Sequence, residues 1–253
     1  MTSSDAHILV DGLTMKYGEV LIQRDLSFSI RKGDIFVIMG GSGCGKSTLL
    51  KHLIGLVPPS AGQILYNGRS FWGSSPHERE ALLRNMGILY QKGALWTSMT
   101  LAENVAMPLR QYTKRSEREI RAVVEYKLAL VGLAGFEEYF PSEISGGMQK
   151  RAALARAMAL DPQVLFFDEP SAGLDPISSK LLDDLIVELN KSLGATVVVV
   201  THELASIFAI ATNSVFLDAE TKTMTAQGHP RELLERSSDS RVIRFLTRGE
   251  RDR

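Results

Sequence analysis

The residues with the clearest chemical potential lie in a glycine-rich stretch, GGSGCGKST, at residues 40–48. Its spacing fits G-x-x-x-x-G-K-[ST], in which the glycines let the chain curl so that backbone N–H groups point at phosphate oxygens. Lys46 would reach the β- and γ-phosphates of a nucleotide, and Ser47 would coordinate Mg²⁺. A purely structural glycine turn is the alternative, but a predicted strand before the loop and a predicted helix after it favour phosphate binding. The nucleotide-binding residues predicted here are Gly40, Gly41, Ser42, Gly43, Cys44, Gly45, Lys46, Ser47 and Thr48.

A second motif, VLFFDEP at residues 164–170, ends an apolar run with two adjacent carboxylates. A carboxylate at the end of a core strand beside a phosphate-binding loop can hold Mg²⁺ through water, a role that we assign to Asp168. Its neighbour Glu169 could orient and deprotonate an attacking water molecule. The alternative is a surface acidic pair without a catalytic role, and the phosphate-binding loop in the same chain argues against it.

A third motif, SGGMQKR at residues 145–151, predicts a helix start with exposed backbone N–H groups. It would form an anion site separate from the first. Two such helix starts in a chain with one nucleotide fold suggest a dimer, in which each subunit supplies Ser145, Gly146 and Gly147 to the γ-phosphate held by the other. Taken alone, the motif favours the alternative of an ordinary serine N-cap.

A single histidine, His202, follows the buried run in TVVVVTHE at residues 196–203. A polar contact between His202 and the γ-phosphate is one interpretation. A histidine that is only hydrogen-bonded at a strand end is the commoner situation. The other histidines, His7, His52, His77 and His229, do not have the spacing of metal ligands.

These motifs are separated by apolar patterns that predict the elements holding them. Strands are predicted over DIFVIMG, GILY, VLFFD, TVVVVT and SVFLD, in alternation with helices. HILVDGLTMKYG and LSFSI add strands near the N-terminus, and QILYNGRS runs into an Asn67-Gly68 turn. From about Thr100 to Leu160 every apolar pattern is helical. Buried β-branched runs indicate a parallel sheet covered on both faces, so the prediction is an α/β core with a helical insertion.

The composition argues against several classes of protein. The 253 residues are 44% apolar, enough for a sizeable core, and carry 29 basic and 29 acidic side chains. The missing basic excess argues against a nucleic-acid partner. The single cysteine, Cys44, excludes an intramolecular disulfide, favours a reducing compartment and is interpreted as a space-filling residue. The start lacks signal-peptide character and the apolar runs are shorter than a membrane span, so we expect a soluble chain whose membrane role comes through a partner.

The motifs form an ordered set that covers nearly the whole chain and resembles the ATPase subunit of ABC transporters. The set is Tyr17, GGSGCGKST, Gln91, ISGGM, VLFFDEP, SAGLDP and His202. The resemblance implies that Tyr17 stacks on adenine, and that Gln91 touches Mg²⁺ and senses the nucleotide. It also implies that Asp175 crosses a dimer interface. Glu169 and His202 match the catalytic glutamate and the switch histidine, with ATP and Mg²⁺ as the ligands.

One position departs from the family pattern, because ISGGM replaces the usual LSGGQ and puts Met148 where glutamine is expected. The phosphate contacts come from Ser145 and backbone amides, so we expect activity to survive. A contact of that glutamine with the ribose would be lost.

The resemblance also implies a domain organisation: a P-loop NTPase core of the ABC ATPase type, with an antiparallel β sub-domain and an inserted helical sub-domain. We place the first part of the nucleotide-binding core, with the β sub-domain, at residues 1–91 and the helical sub-domain at 92–155. The second part of the core is then 156–236, and the tail is 237–253.

A finer resemblance is to the ATPases of lipid-asymmetry (Mla, MCE-type) transporters, which move phospholipids or related lipids. It rests on YQKGALWTSMTLAENVAMPLR, PSEISGGMQKRAALARAMALDP and the late RVIRFL. It implies a homodimer with two sandwiched ATP molecules at the cytoplasmic face of the inner membrane. The implied partners are an integral membrane permease, an MCE-domain lipid-binding protein and a STAS-domain accessory protein. The alternatives are an amino-acid or other small-solute importer, a soluble ABC ATPase without a permease, and a nucleotide sensor that does not hydrolyse ATP.

The sequence leaves the roles of two apolar segments undecided. In QKGALW, at residues 91–96, Leu95 and Trp96 follow the glutamine in what reads as a loop. One of them is expected to pack inward and the other to lie at the rim of the groove that receives the permease. In the tail, RVIRFL predicts either a short helix capping the core or a docking element for a second subunit or accessory protein.

Overall fold

A computed structural model describes residues 6–249, which form two sheets and nine α-helices within that range. The strands are β1 (Ala6–Tyr17), β2 (Val20–Arg31), β3 (Ile35–Gly40), β4 (Ala61–Tyr66), β5 (Arg69–Ser70), β6 (Met86–Leu89), β7 (Val164–Asp168), β8 (Thr196–Val200), β9 (Asn213–Asp218) and β10 (Thr223–Gly228). The helices are α1 (Lys46–Leu53), α2 (Pro76–Arg84), α3 (Leu101–Tyr112), α4 (Glu117–Leu130), α5 (Gly146–Ala157), α6 (Pro176–Leu193), α7 (Leu204–Ile210), α8 (Pro230–Arg236) and α9 (Ser240–Leu246). A 3₁₀ turn at Pro141–Glu143 precedes α5.

The larger sheet has the strand order β10-β9-β3-β8-β7-β6. All neighbours from β9 to β6 pair in parallel, and β10 pairs antiparallel to β9 at the edge. Parallel strands end at the same edge of a sheet, so the loops after β3, β8, β7 and β6 lie side by side in that order. These are the loops that carry the sequence motifs.

Both faces of this sheet are covered, as the buried apolar runs predicted. In β3, Ile35, Val37 and Met39 belong to the hydrophobic core beneath the helices. The alternate residues Phe36 and Ile38 belong to the core beneath the second sheet. The period of two residues in a strand sends neighbours to opposite faces, which is why a continuous apolar run is needed here.

The second sheet is antiparallel, with the order β2-β1-β4-β5, and it confirms the predicted β sub-domain. Its first two strands are each 12 residues long and joined by a tight turn, so β1 matches the predicted HILVDGLTMKYG in length, whereas β2 is longer than the predicted LSFSI. The outer strand β2 faces β10 of the larger sheet. There the Arg24 N–H donates to the Lys222 carbonyl at 2.8 Å, and the Gln227 side-chain amide donates to the Ser29 carbonyl at 3.5 Å.

Helices α3, α4 and α5 confirm the strand-free segment. Local sequence fixes where α3 and α4 begin, since Thr100 with Glu103 and Ser116 with Glu119 form capping boxes. The glycine-rich loop enters α1 as predicted, and α1 ends at Leu53.

The tail forms α9, in agreement with the capping interpretation. Val242 and Leu246 are buried in the core beneath the helices, and the ring of Phe245 lies 5.3 Å from that of Phe216. Arg241 donates to Asp218 at 2.8 Å, which fixes α9 to the end of β9. The last four residues of the tail, 250–253, lie outside the described residues.

Candidate active site

The glycine-rich loop leaves β3 through backbone conformations that need glycine. Gly40 has a φ of 152°, and a Cβ there would meet the Leu217 carbonyl oxygen at 2.4 Å. Gly45 has a φ of 95°, and a Cβ there would meet the Ile22 side chain at 2.7 Å. The two glycines of the G-x-x-x-x-G spacing are therefore required by the curl itself.

Lys46 opens α1 and lies across this curl. Its ammonium is buried and donates to the carbonyls of Gly40 at 2.9 Å and Gly41 at 3.0 Å. Among the described residues 6–249, no side chain caps the N-terminus of α1. The start of the helix thus presents backbone N–H groups and one ammonium on the concave side of the loop, a combination suited to phosphate oxygens.

The carboxylate pair lies beside this loop. Asp168, at the end of β7, accepts a hydrogen bond from the Ser47 hydroxyl at 3.2 Å. Burial raises the pKa of Asp168 above its ordinary value, and the bond from Ser47 opposes that shift. A hydroxyl and a carboxylate at this distance are hard oxygen donors of the kind that Mg²⁺ prefers, and Mg²⁺ commonly takes its other ligands from phosphates and water. The pair therefore fits the ion.

Glu169 is buried and carries an incomplete hydrogen-bond set. Its Oε1 lies 2.7 Å from Nδ1 of His202, which follows β8. Its Oε2 is buried without a partner among the described residues. An unpaired buried carboxylate oxygen is costly, so the site is shaped for a donor such as a water molecule. Glu169 also has a φ of 46°, which is strained for a residue with a side chain.

The loop, with Ser47, and the side chains of Glu169 and His202 face one cavity of about 730 Å³, whereas Asp168 lies outside its lining and reaches the site through its bond with Ser47. Its lining is Ile22, Gly40, Gly41, Ser42, Gly43, Gly45, Lys46, Ser47, Thr48, Gln91, Glu169, His202, Leu204, Arg244, Phe245 and Arg248. Four sequence motifs that are up to 162 residues apart, from Gly40 to His202, are thus brought together at the ends of adjacent strands.

Several predicted site residues lie outside this cavity lining. Tyr17, at the end of β1, is exposed, while Ile22 of β2 reaches the cavity instead. Cys44 is buried behind the loop, where burial raises the pKa of its thiol. Asp175 is the N-cap of α6 and accepts from the backbone N–H groups of the second and third residues of that helix, Ile177 and Ser178.

The SGGM segment also lies apart from the cavity, at the start of α5. The Ser145 hydroxyl accepts from the Met148 N–H at 3.3 Å, so the plain N-cap interpretation holds in the single chain. Gly146 and Gly147 open the helix with no acidic residue in its first turn. Met148 is partly buried against the core beneath the helices, which gives this departure from the family pattern an apolar environment.

Sequence reasoning missed the contribution of α9. Arg244 and Phe245 of α9, with Arg248 just after it, line the same cavity as the glycine-rich loop. No local signal marks the two arginines as a pair, because Arg248 lies beyond the end of α9 with a φ of 53°, and their four-residue spacing therefore does not place them on one helix face.

The segment after Gln91 resolves which of its two apolar side chains points inward. Leu95 packs against the core beneath the helices, and Trp96 is 54% exposed. Asn104 of α3 is buried and clamps the segment, because its amide accepts from the Trp96 N–H and donates to the Trp96 and Met99 carbonyls. The clamp restrains the backbone that carries the exposed indole.

A second, smaller cavity of about 280 Å³ lies between the larger sheet and the helical region. Its lining is mostly apolar with charged residues at its edge: Glu80, Leu83, Arg84, Met86, Gly87, Ile88, Met107, Pro108, Tyr112, Arg156, Ala157 and Leu160. In residues 6–249, no helix is long and apolar enough to cross a membrane.

Comparison with known proteins gives consistent matches. A sequence family described as "ABC transporter" matches residues 23–172. The "Probable ribonucleotide transport ATP-binding protein mkl" of Mycobacterium tuberculosis is 44% identical over 244 residues, which is 96% of this chain and 67% of that protein. The "Intermembrane phospholipid transport system ATP-binding protein MlaF" of Haemophilus influenzae is 44% identical over 245 residues, which is 97% of this chain and 91% of that protein. A solved dimeric structure of the ATP-binding cassette MJ0796, in a post-hydrolysis state bound to ADP and Pi, superposes with a TM-score of 0.78. It is 28% identical and covers 88% of this chain and 98% of that one.

Proposed function

The chain belongs to the ABC transporter family, and from that premise we propose that its ATP hydrolysis drives a membrane transporter for phospholipids or related lipids. As a family member it is an ATP-binding and hydrolysing subunit. The observation that carries the proposal is the cavity at the strand ends, in which the phosphate loop faces Glu169 and His202. The relatives named as phospholipid transport proteins support the lipid class, since the match to one of them extends over 97% of this chain.

We assign the hydrolytic roles as follows. Backbone N–H groups of the loop and the Lys46 ammonium bind the phosphates, with Lys46 exchanging the Gly40 and Gly41 carbonyls for phosphate oxygens. The free Oε2 of Glu169 accepts a proton from the attacking water. His202 holds Oε1 and so fixes which oxygen of the carboxylate remains free.

Mg²⁺ would be held by Ser47 and Asp168, and when bound it neutralises charge on the phosphate oxygens. Gln91, which lines the same cavity, would complete the metal site and sense the phosphates. The raised pKa of Asp168 fits this assignment, because a nearby cation would stabilise a carboxylate whose charged form is disfavoured by burial.

The proposed active form is a head-to-tail dimer with two sandwiched ATP molecules. Ser145, Gly146 and Gly147 lie outside the cavity of their own chain, so we propose that they contact the ATP of the other subunit. Tyr17 would stack on the adenine, and Asp175 would lie at the dimer interface. The dimeric ATP-binding cassette to which this chain is similar supports the arrangement.

We propose a permease as the membrane partner, received by the groove between the sheet and the helical sub-domain. The smaller cavity supplies an apolar floor with charged edges for such an element. An MCE-domain lipid-binding protein and a STAS-domain accessory protein are the further partners that we infer. In this arrangement the ATPase lies at the cytoplasmic face of the inner membrane.

The central test replaces the proposed base. Glu169→Gln should abolish steady-state ATP hydrolysis while leaving ATP binding and ATP-dependent dimerisation intact, because the amide keeps the shape and loses the proton acceptor. The matched control is Glu235→Gln, an exposed carboxylate on α8, which should hydrolyse ATP at the wild-type rate. Normal turnover by Glu169→Gln would remove this residue from the role.

A second test addresses the transported substrate and the membrane partner. The chain should be recovered from detergent-solubilised membranes together with a permease, and the complex should move labelled phospholipid in an ATP-dependent way. Ribonucleotide transport is the second candidate, because relatives with that name are equally identical to this chain. Recovery from the soluble fraction alone would favour an ABC ATPase without a permease.

A further inference from the structure

Lys150 is a buried cation on α5, the helix that begins at the SGGM segment. Only 7% of its surface is exposed. Its ammonium donates to the carbonyl oxygen of Gln91, and it lies 3.5 Å from the carbonyl oxygen of Glu169. Within residues 6–249 it has no carboxylate at ion-pair distance. Burying an ammonium is costly, and here carbonyl oxygens of residues at the hydrolytic site compensate for that cost.

The backbone of Glu169 is strained and therefore needs hydrogen bonds that hold it in place. Its positive φ is unfavourable for a residue with a Cβ, and the surrounding structure must hold it. The Glu169 N–H donates to the Val200 carbonyl at 2.8 Å, and its carbonyl accepts from the Ala172 N–H at 3.1 Å. Lys150 adds a cation on the same carbonyl. Both the N–H and the carbonyl of Glu169 are therefore held by hydrogen bonds, which restrains the direction of its side chain.

The segment after β6 is held by the same helix. Lys150 binds the Gln91 carbonyl, and one turn and a half further along α5 the Arg156 guanidinium donates to the carbonyls of Gly93 at 2.9 Å and Ala94 at 2.7 Å. Two cations of α5 thus fix the backbone on which the Gln91 side chain is mounted.

We propose that Lys150 is a positioning residue for ATP hydrolysis, which sets Gln91 and Glu169 relative to each other and to α5. The inference rests on the proposed function, in which Gln91 and Glu169 act on one ATP while the start of α5 contacts the other. Lys150 is placed to transmit a displacement of α5 directly to both residues. The buried Lys150 ammonium thus aligns the side chains of Gln91 and Glu169.

A purely structural role predicts a different outcome, and the next residue of α5 offers the comparison. Arg151 also donates to backbone carbonyls, those of Val131 at 2.8 Å and Gly132 at 3.3 Å. These lie within the helical sub-domain, away from the cavity. Loss of Arg151 removes comparable bonds without touching Gln91 or Glu169.

The experiment compares Lys150→Met, Lys150→Arg and Arg151→Met in the full chain, with ATP hydrolysis measured against ATP concentration. We expect Lys150→Met to lower kcat by about tenfold or more, with KM and the Kd for a fluorescent ATP analogue changed by less than about threefold. Lys150→Arg should recover most of kcat, because a guanidinium can donate to both carbonyls. Arg151→Met should keep kcat within about threefold of wild type.

Wild-type kcat in Lys150→Met would overturn the inference, as would equal losses of kcat in Lys150→Met and Arg151→Met. Thermal unfolding of each variant, together with Lys150→Gln, separates misfolding from misalignment. A loss of kcat that tracks the loss of folded protein in both Lys150→Met and Lys150→Gln counts against the inference. A wild-type chain without ATPase activity would instead count against the proposed function.

Discussion

At the scale of single residues, the neighbouring apolar side chains of Leu95 and Trp96 lie in opposite environments. Leu95 packs inward, and Trp96 is exposed with its backbone held on both sides by Asn104. A large exposed aromatic on a restrained backbone loses little conformational entropy when a partner covers it, which is typical of interface anchors. We therefore propose that Leu95 contributes to the stability of the fold and that its neighbour Trp96 contacts the permease.

The two side chains should therefore respond differently to truncation. Leu95→Ala should lower the free energy of unfolding by about 1–3 kcal/mol, measured by urea unfolding. Trp96→Ala should change it by about 0.5 kcal/mol or less, yet reduce co-purification with the permease and the coupling of ATP hydrolysis to transport. ATP binding should be unaffected by either change. A destabilised Trp96→Ala that still assembles and couples normally would assign Trp96 to the core.

At the scale of elements, the sequence predicted most strands and helices because each signal was local. The runs IFVIM in β3, VLFF in β7 and VVVV in β8 are continuously apolar, and capping boxes mark α3 and α4. β10 was missed, since TMTAQG has little apolar alternation and forms its strand by pairing with β9. The loop, carboxylate pair and histidine were found through local motifs, whereas the place of α9 in the cavity wall depends on tertiary packing.

Arg244 of α9 and Arg248, which follows that helix, both line the larger cavity and lead to a prediction for this element. The double change of Arg244 and Arg248 to glutamine should raise KM for ATP about fivefold, because two exposed charges that line the nucleotide cavity contribute about 1 kcal/mol together. The effect should shrink at high salt, since exposed charges are screened. Arg236→Gln, on the neighbouring helix α8, is the matched control and should leave KM unchanged. An unchanged KM in the double variant at low salt would show that α9 only caps the core.

At the scale of the whole molecule, one sheet edge organises the site, but stability also depends on distant buried groups. His52 of α1 is buried, its Nδ1 lies 2.9 Å from the Val57 carbonyl oxygen, and its Nε2 has no partner among the described residues. Burial lowers the pKa of His52 below its ordinary value of 6.5. The pKa of His7 is lowered by burial and by the charge of Lys32. Protonating His52 would add an unpaired N–H inside the protein.

These shifts set the sign of a pH dependence. Above the ordinary histidine pKa, both folded and unfolded chains carry neutral imidazoles. As the pH falls below it, the unfolded chain takes up the protons first, so the free energy of unfolding decreases until the folded pKa is reached. The chain should therefore be less stable at pH 5.5 than at pH 7.5 by urea unfolding, with each histidine contributing at most about 1.4 kcal/mol per pH unit.

His52→Asn should reduce this slope, because the asparagine amide can still donate to the Val57 carbonyl and does not titrate. The exposed His77→Asn on α2 is the control and should retain the wild-type slope. An identical slope in His52→Asn would mean that other groups carry the acid sensitivity.

The contact between β2 and β10 bears on how readily the protein aggregates before it joins a transporter. Exposed strand edges are templates for aggregation, and here the outer strands of the two sheets lie against each other. Of the remaining outer strands, β5 has two residues and β6 has four, with Met86 and Ile88 of β6 in the groove proposed to receive the permease. Copies synthesised in excess of their membrane partner would thus offer only short edges for misassembly. The longest of these edges would be covered once the transporter is complete.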